Sequence, residues 1–219
     1  QHVRVRRSAR YFVVGSAGDA TRELWIACHG YGQLAEPFAR GLEPLDDGTR
    51  VVVAPEALNR FYLDKPAKRH GPETPVGAGW MTFQDRENEI TDYVEYLDDV
   101  TVTVRREIPG RDIRVVALGF SQGVATVCRW AALGQTRVQQ MILWGGLTPH
   151  DLPPDRGDQL FRGAALTMVA GRDDHVVPLT LMQKQYRAFV ERGLSVEFVE
   201  FDGGHALHSE TLRRLAVSS

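Results

Sequence analysis

The chain has 219 residues, of which 43% are hydrophobic and 25% charged, and its formal net charge is −2 at pH 7. This length and composition are typical of an ordinary globular protein, and we expect one domain over residues 1–219. A net charge near zero gives no electrostatic reason to expect nucleic acid or an anionic membrane as a partner. The sequence contains neither an apolar run long enough to span a membrane nor a signal-like segment, so it predicts no stable membrane insertion.

Strand patterns are the first elements met along the chain. Short apolar or alternating runs predict eight strands, at residues 3–6, 11–15, 23–28, 50–54, 113–119, 140–144, 165–170 and 196–201. The first run alternates valine with arginine, which is typical of an edge strand that turns a basic face to solvent.

Helical patterns fall between the strands. Apolar residues from Ile90 to Val104 recur on one helical face, and Thr82 with Asp85 three residues later is expected to cap the start of this helix. Another helix is predicted around residues 182–190 and should end at Gly193. Strands that alternate with helices predict the α/β class, with a mainly parallel, doubly wound sheet flanked by helices.

Two connections are unusually long. Residues 64–79 are rich in proline and glycine and are expected to form an irregular loop, of a kind that often carries function. Residues 145–163 are too few to build a separate helical cap. The sequence therefore predicts a single, cap-less domain with an open site.

The two cysteines and the absence of cofactor motifs limit the chemistry. Cys28 ends an apolar run and Cys128 lies in a helical pattern, so we expect two buried free thiols, which favours a reducing, cytoplasmic location. No spacing typical of metal ligands and no phosphate-binding glycine loop occurs. The sequence thus predicts neither a metal nor another cofactor.

The pentapeptide Gly119-Phe120-Ser121-Gln122-Gly123 follows one predicted strand and precedes a predicted helix. A serine on a sharp strand-to-helix turn between two glycines is the nucleophile elbow of α/β-hydrolases. The glycines are required because a Cβ beside the strained serine would collide with the neighbouring turn. Ser121 is therefore the candidate nucleophile.

An acid and then a histidine are expected after an elbow serine, each just beyond a later strand. Asp173 and Asp174 follow the next-to-last predicted strand, and position alone leaves both open as the acid. His205 follows the last strand and is the candidate base, with His208 as the alternative. Because the carboxyl ends of parallel strands share one edge of a sheet, we expect these side chains to meet there.

The backbone N–H groups of Gln122 and Tyr31 are the candidate oxyanion donors. Gln122 directly follows the elbow serine at a helix N-terminus, and Tyr31 lies in the glycine-rich turn after the strand at 23–28. Trp80 and Leu147, both apolar residues near strand ends, are expected to wall a substrate pocket together with the Tyr31 ring.

The chain resembles the phospholipase/carboxylesterase family of serine esterases, which includes acyl-protein thioesterases and small bacterial carboxylesterases. The resemblance lies in four segments: His29-Gly30-Tyr31-Gly32, the elbow pentapeptide, Gly171-x-x-Asp174-x-x-Val177-Pro178 and Gly204-His205. It implies a cap-less α/β-hydrolase with Ser121, Asp174 and His205 as catalytic triad and Tyr31 and Gln122 as oxyanion donors. It also favours Asp174 over Asp173. Gln33 and Val124 depart from the family, which usually has aspartate and glycine there.

We therefore expect a cofactor-free serine hydrolase that cleaves small-molecule or lipid esters through an acyl-enzyme. Short- to medium-chain acyl groups are favoured, because no cap encloses a long chain. An acyl-protein thioesterase or a lysophospholipase would use the same machinery. A non-catalytic binding protein on this scaffold is the alternative from another functional class.

Overall fold

The computed structural model describes residues 1–64, 69–110 and 112–217. Its strands are β1 (Tyr11–Val14), β2 (Glu23–Cys28), β3 (Arg50–Pro55), β4 (Asn59–Tyr62), β5 (Val76–Gly79), β6 (Arg114–Phe120), β7 (Gln140–Trp144), β8 (Ala165–Gly171) and β9 (Val196–Phe201). Its helices are α1 (Ala35–Gly41), α2 (Arg86–Arg105), α3 (Gln122–Leu133), α4 (Pro154–Gly163), α5 (Leu179–Glu191) and α6 (Ser209–Val217).

Seven of these strands form one sheet, in the order β1-β3-β2-β6-β7-β8-β9. Only the edge strand β1 pairs antiparallel within this sheet, and the remaining neighbours are parallel. β4 and β5 form a separate antiparallel hairpin. The expected α/β class, with a mainly parallel sheet between helices, is confirmed.

Both faces of the sheet are buried, as parallel sheets require. β2 shows how one strand serves both faces: Leu24 and Ile26 point into the core cluster that includes α2 and α3, whereas Trp25 and Ala27 point into the cluster with α1 and α6. Every residue of β2 is buried. This burial explains why the apolar run at 23–28 predicted the strand with its correct bounds.

The segment at residues 3–6, predicted as an edge strand, is not a strand. It is exposed, and the Arg4 guanidinium donates to both carboxylate oxygens of Glu95 on α2, at 2.6 and 2.9 Å. The segment therefore places the Arg4 charge against a helix, without pairing its backbone to a sheet.

Two further local expectations need correction. Asp85 is the residue that precedes α2, but its side chain makes no cap hydrogen bond, so the expected Thr82–Asp85 cap is wrong. Part of the supposedly irregular loop at 64–79 is the strand β5; residues 65–68 of that loop lie outside the described residues. The 145–163 connection contains α4, which packs on α3 and β8, in agreement with the expectation that this segment builds no separate cap.

Cys28 and Cys128 are free and fully buried, as expected. Burial raises the pKa of both thiols, so neither is a thiolate nucleophile at neutral pH.

Candidate active site

Ser121 occupies the sharp turn between β6 and α3. Its backbone has φ 55° and ψ −116°, a conformation that non-glycine residues rarely adopt. The surrounding backbone holds it there, because the Ser121 N–H donates to the Trp144 carbonyl at 2.9 Å and the Ser121 carbonyl accepts from the Val124 N–H at 3.0 Å. A Cβ at Gly119 would lie 2.5 Å from the Gly123 carbonyl oxygen, so the first elbow glycine has no room for a side chain.

Asp174 and His205 meet beyond the ends of β8 and β9. Asp174 Oδ2 lies 2.7 Å from His205 Nδ1, and Asp174 Oδ1 accepts from the N–H groups of Val176 and Val177, each at 2.8 Å. Asp174 is 5% exposed. A buried carboxylate whose oxygens are all engaged is fixed in direction, so it orients the imidazole.

The rival residues are engaged elsewhere. The Asp173 side chain is exposed, and its backbone N–H donates to the Gly203 carbonyl. His208 Nδ1 lies 2.9 Å from Thr211 Oγ1, and its ring stacks on Phe201 at 5.1 Å. Geometry therefore favours Asp174 and His205.

Two glycines after β7 let His205 approach the elbow. A Cβ at Gly145 would lie 3.4 Å from His205 Nδ1, and a Cβ at Gly146 would collide with the Ser121 carbonyl oxygen. The His205 ring also packs at 4.8 Å on the ring of Phe120, the residue before the serine. The described residues include no hydrogen-bond partner for the Ser121 hydroxyl; in unliganded serine hydrolases that bond often tightens only with substrate.

The loop after β2 lies against the elbow, since a Cβ at Gly30 would be 3.1 Å from Ser121 Cβ. Within this loop the His29 Nδ1–H donates to the Gly30 carbonyl at 2.8 Å, and His29 Nε2 accepts from the Ala57 N–H at 3.1 Å. Burial lowers the pKa of His29, although the Gly30 carbonyl opposes the shift. His29 is therefore a neutral structural residue at pH 7.

Gln33 holds the same loop from its other end. Its side-chain oxygen Oε1 accepts from the Gly30 N–H at 2.7 Å. Its backbone N–H donates to the Gly30 carbonyl at 3.2 Å. Gln33 thus supplies a hydrogen-bond acceptor at a position where the phospholipase/carboxylesterase family usually has aspartate. The sequence alone did not predict this role.

The backbone N–H groups of Tyr31 and Gln122, the two expected oxyanion donors, belong to the loop after β2 and to the elbow. Among the described residues neither the Tyr31 N–H nor the Gln122 N–H forms a hydrogen bond, whereas the Gly30 and Gly32 N–H groups are both paired. Unpaired donors in the segments next to a nucleophile are suited to an oxyanion.

The two residues expected to wall a pocket, Trp80 and Leu147, differ in exposure. Trp80 is 1% exposed, so its ring offers almost no surface to a ligand, and its indole N–H donates to the His29 carbonyl at 2.8 Å. Leu147 is 39% exposed and lines a groove of about 670 Å³ between the loop after β7, α4 and α5. The Tyr31 ring is exposed and stacks on Phe61 at 5.1 Å.

An ion-pair network braces the loop after β7 and was not anticipated. Asp151 in this loop accepts from Arg129 of α3 at 2.8 Å and also pairs with Arg86 at the start of α2. Burial raises the pKa of Asp151, but the hydrogen bonds from Arg129 and Arg86 outweigh it and lower the pKa to about 2. The available signal was an arginine inside the apolar pattern of α3.

The described residues contain no cluster of His, Cys, Asp and Glu side chains that could hold a metal ion. Across the same residues, no helix combines the length and apolar character needed to cross a membrane.

Comparison with known proteins places this site in context. A family model described as "Serine hydrolase (FSH1)" matches residues 25–212. Among curated proteins no sequence matches the chain significantly.

Several solved structures share the fold. The acyl-protein thioesterase 2 of Zea mays is 18% identical, with a TM-score of 0.71 over 96% of this chain and 97% of that one. The esterase PE8 is 16% identical, with a TM-score of 0.62 over 97% and 98% of the two chains. SOBER1 of Arabidopsis thaliana is 16% identical, with a TM-score of 0.63 over 90% of this chain and 97% of that one. The family match and the shared fold confirm the expected resemblance to serine hydrolases of the α/β-hydrolase fold.

Proposed function

The chain belongs to the serine hydrolase family described as FSH1, and from this premise we propose that it cleaves carboxylic esters through an acyl-enzyme on Ser121. The observation that carries the proposal is the 2.7 Å contact between the buried Asp174 carboxylate and His205 Nδ1, beside a serine held at φ 55°. A serine hydroxyl needs a base to attack a carbonyl, and an imidazole oriented by a carboxylate is that base. Residues 1–219 act as one domain in this proposal.

Acylation begins when the Ser121 oxygen attacks the ester carbonyl carbon and its proton passes to His205 Nε2. The carbonyl π electrons move onto oxygen, which the Tyr31 and Gln122 N–H groups stabilise; each donor contributes about 3–4 kcal/mol to the transition state. The oxyanion then reforms the carbonyl, the bond to the leaving alcohol breaks, and His205 gives the proton to that alcohol. Asp174 stabilises the transient imidazolium.

Deacylation repeats these steps with water as the nucleophile. His205 takes one proton from the water, and the hydroxide oxygen adds to the acyl carbon. Collapse of this second tetrahedral intermediate releases the carboxylic acid and returns the proton to Ser121. The sequence of steps needs no cofactor.

The groove beside Leu147 is a suitable place for the acyl chain. Leu147 follows Gly145 and Gly146, which border His205 and Ser121, and the groove continues along α5 from Leu181 and reaches Arg192 just after the helix. The eleven residue steps from Leu181 to Arg192 span about 16 Å at the rise of an α-helix. Its apolar lining comes from Leu147, Leu152, Phe161, Leu181, Ala188 and Phe189. A short or medium acyl chain fits this length and does not need a cap.

The proposal is tested with a fluorophosphonate probe and a series of p-nitrophenyl esters. The probe should label wild-type protein, and Ser121→Ala should remove both labelling and ester hydrolysis; full hydrolysis by Ser121→Ala would contradict the proposed nucleophile. An acyl thioester measured alongside separates esterase from thioesterase preference.

Chain length tests the groove separately. Ala188→Phe should fill it and lower kcat/KM for p-nitrophenyl octanoate by at least about tenfold, since one extra methylene is already worth about 1–3 kcal/mol in a pocket. The acetate ester should be unaffected. Equal losses for both esters would exclude this groove as the acyl site.

A further inference from the structure

Trp80 connects the two halves of the proposed oxyanion hole. Its backbone N–H donates to the side-chain oxygen Oε1 of Gln122 at 3.1 Å, and its indole N–H donates to the His29 carbonyl at 2.8 Å. Gln122 carries one proposed donor in its own backbone, and His29 begins the loop that carries the other. One buried residue therefore bonds to the elements bearing both donors.

Residues next to Trp80 add further hydrogen bonds to the same two elements, and we call residues 78–81 the bracket. On the elbow side, Gln122 Nε2 donates to the Met81 carbonyl at 3.1 Å. On the loop side, the Ala78 carbonyl accepts from the Gly32 N–H at 2.8 Å, and the Ala78 N–H donates to the Gln33 carbonyl at 3.1 Å. Residues 78–81 thus form hydrogen bonds to the elbow through the Gln122 side chain and to the loop after β2 on both sides of Tyr31.

The bracket is rigid because Trp80 is packed in the core. Its ring is 1% exposed, lies 5.2 Å from the His29 ring and meets the Tyr93 ring edge-on at 6.2 Å. Side chains in such a core occupy one rotamer, so the two N–H groups of Trp80 keep a fixed separation. An oxyanion hole depends on this kind of preorganisation, since its donors must be in place before charge develops.

We propose that Trp80 is a positioning residue that sets the distance between the Tyr31 and Gln122 N–H groups. The inference rests on the proposed oxyanion hole and deepens it. Trp80 touches neither substrate nor the reacting atoms; it acts through His29 and Gln122. Its loss should therefore weaken stabilisation of the transition state while substrate binding stays the same.

The test compares Trp80→Phe with Trp25→Phe. Each variant removes one buried indole N–H; that of Trp25 donates to Glu23 at 2.7 Å, in the core cluster on the opposite face of the sheet from Trp80. For p-nitrophenyl butyrate, Trp80→Phe should lower kcat by at least about tenfold and leave KM within about twofold, the pattern of an interaction made only in the transition state. Trp25→Phe should keep kcat within about twofold of wild type.

A trifluoromethyl ketone inhibitor reports on the hole itself. Ser121 adds to its carbonyl carbon, the serine proton moves to His205, and the resulting oxyanion occupies the hole. Trp80→Phe should weaken this inhibitor by the same factor by which it lowers kcat/KM, as expected for a transition-state analogue. A loss of kcat with unchanged inhibition would overturn the proposal, as would a kcat loss no larger than that of Trp25→Phe.

Gln122→Met tests the other end of the bracket, and it decides the question if Trp80→Phe does not fold. It retains the backbone donor and the side-chain size but cannot bond to Trp80 or Met81. It should show the same kcat loss at constant KM, and unchanged kcat would overturn the proposal. Failure of the proposed function is recognised separately, because Ser121→Ala would then retain activity.

Discussion

Asp174 holds the His205 ring with one carboxylate oxygen and is held by its other oxygen. Oδ2 lies 2.7 Å from His205 Nδ1, while Oδ1 accepts from the backbone N–H groups of Val176 and Val177. The carboxylate cannot rotate without losing these bonds. It therefore favours the tautomer with its proton on Nδ1, which leaves Nε2 unprotonated, as the proposed base requires.

Replacing this carboxylate should be far more costly than replacing its neighbour. Asp174→Asn should lower kcat by about 10⁴, because an amide can donate to Nδ1 and so favours the wrong tautomer. The matched control, Asp173→Asn, changes an exposed side chain and should cost less than about tenfold. Steady-state kinetics on p-nitrophenyl butyrate would measure both, and the reverse ranking would place the acid one residue earlier.

The two histidines of the C-terminal loop provide a second matched pair. His205→Ala should reduce ester hydrolysis to near background, because it removes the proposed base. His208→Ala loses only the contact with Thr211 and the stacking on Phe201, so it should keep most of the activity. Hydrolysis rates of both variants, compared at equal folded fraction, would check this. If His208→Ala were inactive and His205→Ala active, the base would be His208, three residues later in the chain.

Much of the sheet was predictable from sequence because buried strands form apolar runs with sharp ends. The runs at 23–28, 140–144 and 196–201 gave the bounds of β2, β7 and β9 correctly. The run at 3–6 failed for a non-local reason. The Arg4 side chain forms its hydrogen bonds with Glu95, some ninety residues later in the chain. Local alternation carries no information about such a partner.

The site shows the same limit. The order of the elbow serine, the aspartate pair and His205 correctly predicted the edge of the sheet at which they lie, since strand ends are local features. The pocket role predicted for Trp80 depends on an exposure that sequence does not give, since an apolar residue near a strand end can wall a pocket or pack in the core, and the Trp80 side chain is 1% exposed. The bracing role of Gln33 was equally invisible, since it depends on the fold of its own loop.

Acid should weaken the protein through Asp151. Its hydrogen bonds from Arg129 and Arg86 outweigh burial and lower its pKa from 3.8 to about 2. A depressed carboxylate pKa contributes stability that is present above the unfolded pKa and is lost as pH falls through the folded one. The shift corresponds to roughly 2 kcal/mol. Asp151→Asn should therefore be less stable than wild type at pH 7, and the difference should shrink between about pH 5 and pH 2.

Urea unfolding of wild type and Asp151→Asn across this pH range measures the effect. Asp155→Asn on the exposed first turn of α4 removes the same charge and should leave stability within about 0.5 kcal/mol. If the stability difference between wild type and Asp151→Asn stayed constant down to pH 2, the ion pair would not be the cause of the loss of stability in acid.

Gly123 should tolerate no side chain, because it fixes how closely the elbow approaches the loop after β2. A Cβ at this position would collide with the carbonyl oxygen of Cys28, the residue directly before His29. Backbone on both sides of the contact is held by β2 and α3 and cannot yield. Gly123→Ala should therefore lose more than about 3 kcal/mol of stability, beyond the usual cost of overpacking.

Any folded fraction of Gly123→Ala should label slowly with a fluorophosphonate, because separating the elbow from the loop misplaces Ser121. Gly163→Ala is the control, since a Cβ there meets nothing within 4 Å. Wild-type stability and labelling in Gly123→Ala would show that this close approach is not required.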